Sequence, residues 1–141
     1  MDDLFIRQLQ TSGYKITAPR RAVFTFLQRS GPTRSQDVAT QLVGVIDRTS
    51  TYRTLRLFRQ LRVIHELILG GHKVVELTDR FSHHHHHLTC LQCDETQTIA
   101  DDQLEAVLRR VVTAHEFEAQ GHLIEVQGRC KACAAAGAAA S

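Results

Sequence analysis

Two pairs of cysteines with the same spacing constrain this chain more than any other feature of its 141 residues. The first pair is Cys90-x-x-Cys93 and the second is Cys130-x-x-Cys133. Because the acidic start of the sequence shows no cationic and apolar leader, we expect a cytoplasmic protein with reduced thiols, disulfide or redox use being the alternative. Each pair places two sulfur atoms about one tetrahedral edge apart, so the four cysteines predict a site for one structural zinc ion.

The net charge of +2 conceals a difference between the two halves of the sequence. Residues 1–65 carry eleven Lys and Arg against four Asp and Glu, whereas residues 66–141 carry six against eleven. A basic first half favours a polyanionic partner, and an acidic, histidine-containing second half favours bound cations. Two differently solvated surfaces are the alternative. No run approaches the roughly 18 apolar residues that span a bilayer, so we expect no membrane association.

The first half has the pattern of three short helices followed by a β-hairpin. Thr17 and Pro19 mark the start of one helix, Ser35 can cap the next, and Asp47 or Thr49 can begin a third. The hairpin follows, and this order is typical of a winged helix-turn-helix. In that architecture the third helix enters the major groove, while the hairpin and the first helices contact the phosphate backbone.

The second half reads differently from Phe81 onward. We expect an extended segment over 83–91, a short strand over 96–100, an amphipathic helix over 101–115 and a strand over 122–128. The Ala- and Gly-rich tail, residues 134–141, is expected to be frayed.

Five consecutive histidines, His83 to His87, precede the first cysteine pair. An engineered tag would stand at a terminus, whereas this run is internal; an accidental run is the alternative. Successive side chains of a strand point to opposite faces, so His85 and His87 face one way and His84 and His86 the other. One strand could therefore supply ligands to two different metal sites.

The odd-numbered histidines have candidate partners in the hairpin. A two-residue turn at Gly70-Gly71 places His65 opposite Glu76, and cross-strand partners share a face. With His85 and His87 they make an N/N/N/O set suited to zinc or iron, at a position where a metal could change the geometry between the two halves. A solvated wing with unrelated polar residues is the alternative.

The even-numbered histidines have candidate partners in the second half. Glu105 lies on the amphipathic helix, and His122 is expected to begin the last strand. Together with His84 and His86 they could complete a second site, although each alone is more often a structural residue.

The third helix carries a segment suited to DNA, residues 48–53, with small hydroxyls, one aromatic ring and flanking arginines. Arginine binds guanine edges or phosphates, and threonine or tyrosine can contact thymine methyl groups. Many surface helices have a similar composition, so this segment alone does not identify a DNA-binding protein.

Taken together, these motifs resemble the ferric uptake regulator family from about Leu4 to Cys133. The matching segments are residues 14–20 (YKITAPR), 50–55 (STYRTL), 75–78 (VELT), 83–93 (HHHHHLTCLQC) and 128–133 (GRCKAC). The resemblance implies a homodimer that binds a palindromic DNA operator when its regulatory metal is loaded, and so represses transcription.

The resemblance also implies a role for each candidate residue. The structural zinc ligands would be Cys90, Cys93, Cys130 and Cys133. The regulatory metal ligands would be His65, Glu76, His85 and His87, and an additional site would be formed by His84, His86, Glu105 and His122. The DNA contacts would be Lys15, as a minor-groove lysine, with Arg20, Thr51, Tyr52 and Arg53.

The pattern of ligands bears on which metal is bound. The implied cofactors are structural Zn²⁺ and a regulatory Zn²⁺ or Fe²⁺, with Mn²⁺ as a surrogate. The all-histidine run is similar to that of zinc-uptake regulators: iron-sensing members usually have Asp in place of His86 and often a histidine in place of Thr33. A peroxide sensor is disfavoured because its reactive site uses an Asp in the hinge set.

We therefore predict an α+β chain with two domains. Residues 1–80 form a winged helix-turn-helix DNA-binding domain, and residues 81–141 form a small α/β dimerisation and metal-binding domain with the Cys₄ zinc site. The predicted function is a metal-dependent repressor of zinc or iron uptake genes. A metal-buffering module without DNA binding is the alternative. A zinc hydrolase is disfavoured because four protein ligands leave no open position for water.

Overall fold

The computed structural model describes residues 3–138 of the chain, which divide into two compact units after His83. The elements of the first unit are α1 (Asp3–Thr11), α2 (Ala18–Ser30), α3 (Ser35–Gln41), α4 (Arg48–Gln60), β1 (Ile64–Leu69) and β2 (His72–Leu77). Those of the second unit are β3 (His86–Cys90), β4 (Thr96–Ile99), α5 (Asp102–Ala114), β5 (Glu125–Gly128) and α6 (Lys131–Ala138). No helix in the described range is long and apolar enough to cross a membrane.

The helix boundaries of the first unit follow from local capping chemistry. Thr17 takes the extended N-cap conformation of α2, with a proline in the first turn. The carboxylate of Asp47 caps α4 by accepting from the backbone N–H of Ser50 at 2.8 Å. Ser35 is not a cap as expected but the first helical residue of α3, because Arg34 occupies the extended position before it. The sequence pattern described above does not predict α1.

Apolar side chains from these helices form one core. The ring of Phe5 stacks on Phe24 with centroids 3.9 Å apart and meets Phe58 edge-on at 5.4 Å. Phe5 and Leu9 lie one helical turn apart in α1, and both are fully buried. The core therefore fixes α1 and α2 against the helix expected to contact DNA.

The hairpin has the predicted turn and register. Gly70 and Gly71 both have positive φ, 57° and 83°, as a two-residue turn with the twist of the strands requires. His65 pairs with Glu76, as expected. The second strand is joined to the segment between α2 and α3 by a bridge between Thr33 and Val75.

The second unit is a three-stranded mixed sheet with two helices. Its central strand, β3, runs antiparallel to β4 and parallel to β5. Asp101 caps α5 by accepting from the backbone N–H groups of Gln103 and Leu104. His122 does not begin the last strand as expected, since β5 starts only at Glu125.

The expectation of a frayed tail is wrong as far as residue 138, because α6 begins within the second cysteine pair and extends to Ala138. The remainder of that tail, residues 139–141, lies outside the described residues.

Candidate metal centres and nucleic-acid interface

The structure brings the four cysteines together. Their Sγ atoms all lie within 4.8 Å of one another, and those of Cys93 and Cys130 are 3.9 Å apart. Tetrahedral zinc with bonds of about 2.3 Å requires sulfur atoms roughly 3.8 Å apart. None of the four forms a disulfide. The donors and their spacing therefore fit zinc.

A tight turn at the first cysteine pair and the first turn of α6 at the second create this arrangement. The N–H of Asp94 donates to Cys90 O, and Asp94 has a left-handed φ of 60°, which closes the first knuckle. In the second knuckle, the N–H of Ala134 donates to Cys130 O. The parallel pairing of β5 with β3 sets Gly128 beside Cys90, and so brings the two knuckles together.

The electrostatics of the cluster favour a cation. Backbone N–H groups of Cys130, Cys93 and Gln92 lower the pKa of the Cys90 thiol to about 6. By contrast, the neighbouring thiols of Cys130 and Cys93, together with burial, raise the pKa of Cys133 to about 12. One sulfur is thus prepared as a thiolate, whereas four thiolates side by side require a positive charge between them.

A second cluster joins the even-numbered histidines to α5. Glu105 Oε1 lies 2.8 Å from His86 Nε2, 3.1 Å from His122 Nε2 and 3.3 Å from His84 Nε2. The Nε2 atoms of His84 and His122 are 3.0 Å apart. Ligands at about 2.0–2.1 Å from a tetrahedral zinc ion lie roughly 3.3 Å apart, so all four distances are close to those of a coordination shell.

His86 is the best indication that this cluster serves a ligand. The residue is only 1% exposed, and its Nδ1 atom has no hydrogen-bond partner within the described chain. Its Nε2 atom is close to Glu105 without hydrogen-bond geometry. Burial opposes ionisation of Glu105, but the hydrogen bond from His122 and the nearby histidines lower its pKa overall, which keeps an anionic donor in the cluster.

The four residues expected at the regulatory site lie in two pairs, one in each unit. In the first unit His65 Nε2 is 2.8 Å from Glu76 Oε1, and the Glu76 side chain is buried. In the second unit the rings of His85 and His87 lie 5.0 Å apart, and the rings of His84 and His86 form a separate pair 5.1 Å apart. The alternation expected from a strand holds, although only His86 and His87 are within β3.

The loop before α2 presents Lys15 to solvent. The guanidinium group of Arg20 donates to the carbonyl oxygen of Lys15 and lies over the ring of Tyr14, 5.4 Å from its centroid. Arg20, expected as a DNA contact, therefore has two local partners that fix the loop carrying Lys15.

Helix α4 exposes part of the expected DNA contact set. Tyr52 and Arg53 are both exposed. Thr51 is fully buried, and its hydroxyl donates to Asp47 O at 3.2 Å. The expectation of a DNA contact at Thr51 is wrong in this structure, because the side chain has no surface to offer.

Sequence reasoning missed further residues on the same surface. Arg56 and Arg59 are exposed and follow Tyr52 by four and seven positions, which places them on one stripe of α4. The spacing alone could have identified them. Glu66, which forms ion pairs with Arg59 and Lys73, carried no recognisable signal.

Comparison with known proteins identifies one family to which this chain is similar. A model of the Ferric uptake regulator family matches residues 11–127. The ferric uptake regulation protein of Escherichia coli K12 is 30% identical over 128 residues, which cover 86% of this chain and 85% of that protein.

Solved structures share the fold. The ferric uptake regulator of Vibrio cholerae aligns with a TM-score of 0.71 and 26% identity, over 92% of this chain and 100% of that one. A zinc uptake regulator solved with zinc and DNA aligns with a TM-score of 0.62 over 98% of this chain and 99% of that one; at 16% identity it supports the fold alone. The expected α+β class is confirmed.

Proposed function

This chain belongs to the ferric uptake regulator family of metal-responsive transcriptional regulators, and on that premise we propose that it represses metal-homeostasis genes by binding operator DNA when loaded with metal. Members of the family are regulators of transcription and not enzymes. The first unit, ending near the expected boundary at residue 80, would bind DNA, and the second would hold metal and form the homodimer.

The observation that carries the proposal is the convergence of His84, His86, Glu105 and His122 in a chain whose other unit exposes a basic helix. A cluster of three imidazoles and one carboxylate binds Zn²⁺ well and also accepts Fe²⁺ or Mn²⁺. Its exposed histidine gives an ion a route in and out. The thiolate cluster is chemically different and suits tightly held, structural zinc.

We propose the second N/O site, formed by His65, Glu76, His85 and His87, as the regulatory one. The supporting observations are the 2.8 Å contact of His65 with Glu76 and the side-by-side rings of His85 and His87. A bound ion would supply the positive charge that draws four donors to one point. Because the donors come from both units, their convergence would fix the orientation of the DNA-binding unit.

Regulation requires that the metal favour the DNA-competent orientation over others, since equal binding to both would shift nothing. In a homodimer, two fixed recognition helices could fit successive major-groove turns of a palindromic operator. The ion in the His84 cluster would instead join α5 to the sheet and stabilise the dimerising unit. We propose Zn²⁺ as the regulatory ion, because tetrahedral N/N/N/O donors suit it.

The first test is a selection from a random-sequence duplex pool with full-length protein. We expect the zinc-loaded protein to enrich a two-fold symmetric motif, and the same protein after mild chelation to enrich none. A protein that buffers metal without binding DNA would enrich no motif in either condition, which would contradict the proposal. The dependence of binding on salt would distinguish specific from purely ionic retention.

A further inference from the structure

An acidic side chain joins the hairpin to the end of α4 in the first unit. Glu66 Oε1 accepts a hydrogen bond from Arg59 Nη2, and Glu66 Oε2 lies 3.0 Å from Lys73 Nζ. Each carboxylate oxygen thus contacts a different cation. The three residues come from three elements, α4, β1 and β2.

The strand register explains why the carboxylate lies at this point. Glu66 pairs with Val75, and Lys73 is the diagonal neighbour on the same face of the hairpin. On that face Val75 and Leu77 enter the core. Glu66 is 24% exposed, against 46% for Arg59 and 67% for Lys73, so the carboxylate is the most confined of the three.

The arginine in this cluster belongs to the exposed stripe of α4. Tyr52, Arg56 and Arg59 stand at positions i, i+4 and i+7, and all three are exposed. The cluster therefore connects the face expected to enter the major groove with the hairpin expected to contact the backbone beside it.

From this geometry we propose that Glu66 is a positioning residue for DNA binding, which holds the hairpin at a fixed angle to α4. The inference rests on the proposed function, since it concerns how that function is carried out. With the angle fixed, helix and hairpin contact the duplex together. Without it, only a fraction of the protein molecules has the binding-competent arrangement, and the apparent affinity falls by that fraction.

The direction in which DNA affinity changes when the Glu66 charge is removed distinguishes this role from simple repulsion. An acidic group beside a DNA-binding face repels phosphates, so its removal should tighten binding to every sequence. Loss of a positioning contact should instead weaken binding to the specific sequence and leave binding to other sequences unchanged or stronger.

The experiment uses full-length, zinc-loaded protein and two duplexes, one selected from a random pool by the wild-type protein and one scrambled. Glu66→Gln keeps the shape of the side chain and removes its charge. We expect affinity for the selected duplex to fall about 3- to 10-fold, because exposed ion pairs contribute roughly 1.4- to 5-fold each and a dimer has two copies. Affinity for the scrambled duplex should not fall.

Charge reversal provides the rescue. Arg59→Glu alone should weaken specific binding, and the double variant R59E/E66R should recover part of the loss, because the ion pair between positions 59 and 66 is restored with opposite polarity while the attraction to Lys73 is not. Glu118→Gln, an exposed acid in the second unit, removes the same charge as a control. Unfolding temperatures should fall by only about 1–8 °C, as expected for the loss of exposed ion pairs in a protein that stays folded.

Two outcomes would overturn the inference. One is an equal gain, or no change, on both duplexes for Glu66→Gln. The other is a double variant as weak as Arg59→Glu alone, which would mean that Arg59 contacts the DNA directly. If the wild-type protein selected no duplex at all, the proposed function itself would fail, and that result is separate from both.

Discussion

At the scale of single residues, the expected DNA contacts fall into different roles. Tyr52 and Arg53 are exposed on α4 and free of the core, whereas Thr51 is buried within it. The burial of Thr51 could have been predicted, since Leu55 and Phe58 follow it by four and seven positions on one apolar stripe. Residue type suggested a contact, but helical position decides which side chains reach a ligand.

Arg20 is expected to act through Lys15 more than through its own contact with DNA. Its guanidinium group donates to Lys15 O and lies over Tyr14, so Arg20→Ala should release the loop and lower affinity about 3- to 10-fold. A double-mutant cycle with Lys15→Ala tests this: the combined loss should be clearly smaller than the product of the single losses.

Arg21→Ala is a matched control. Arg21 is the next residue of α2, and the side-chain contacts to Lys15 and Tyr14 are made by Arg20. If the losses for Arg20 and Lys15 simply multiply, Arg20 contacts the DNA independently and the positioning role is wrong.

At the scale of elements, features determined by neighbouring residues could be predicted, whereas pairing between distant strands could not. The glycine pair fixed the loop length of the hairpin, and through it the register that brings His65 to Glu76. By contrast, the parallel pairing of β5 with β3 depends on residues far apart in sequence, and no local signal announces it. α1 was missed, although its buried Phe5 and Leu9 have helical spacing.

The start of α4 gives a prediction with a defined pH dependence. The side-chain hydroxyl and backbone N–H of Ser50 lower the pKa of Asp47 below 3.8, so the ionised carboxylate stabilises the folded state. That contribution is present above the unfolded pKa and is lost as the pH falls through the folded pKa. Asp47→Asn keeps an acceptor without the charge, and should lower Tm by roughly 1–5 °C at pH 7.

Thermal unfolding of both proteins from pH 7 to pH 3 measures this difference. Protonation of the metal ligands is common to the two proteins and cancels when their Tm values are subtracted. The gap should close as the pH falls below 3.8. A gap that persisted or widened at low pH would show that the Asp47 charge is not its source.

At the scale of the whole molecule, the cysteine cluster and the His84 cluster both lie in the second unit, and the exposed basic helix α4 lies in the first. The sequence identified all four cysteines and all of the His84 cluster, because ligand types and strand alternation are local properties. Which site is structural and which is regulatory is not a local property of the sequence. We propose that the cysteine zinc and the ion of the His84 cluster stabilise the second unit, while the ion held by His65, Glu76, His85 and His87 controls binding to DNA.

The most direct test of that division is a titration of operator affinity against free Zn²⁺, with bound zinc counted in the same samples. For wild-type protein we predict that affinity rises by at least about tenfold as zinc beyond the first, cysteine-bound equivalent is taken up. His87→Ala should keep that first equivalent and lose the rise. Tight specific binding by protein that holds only the cysteine zinc would contradict the account.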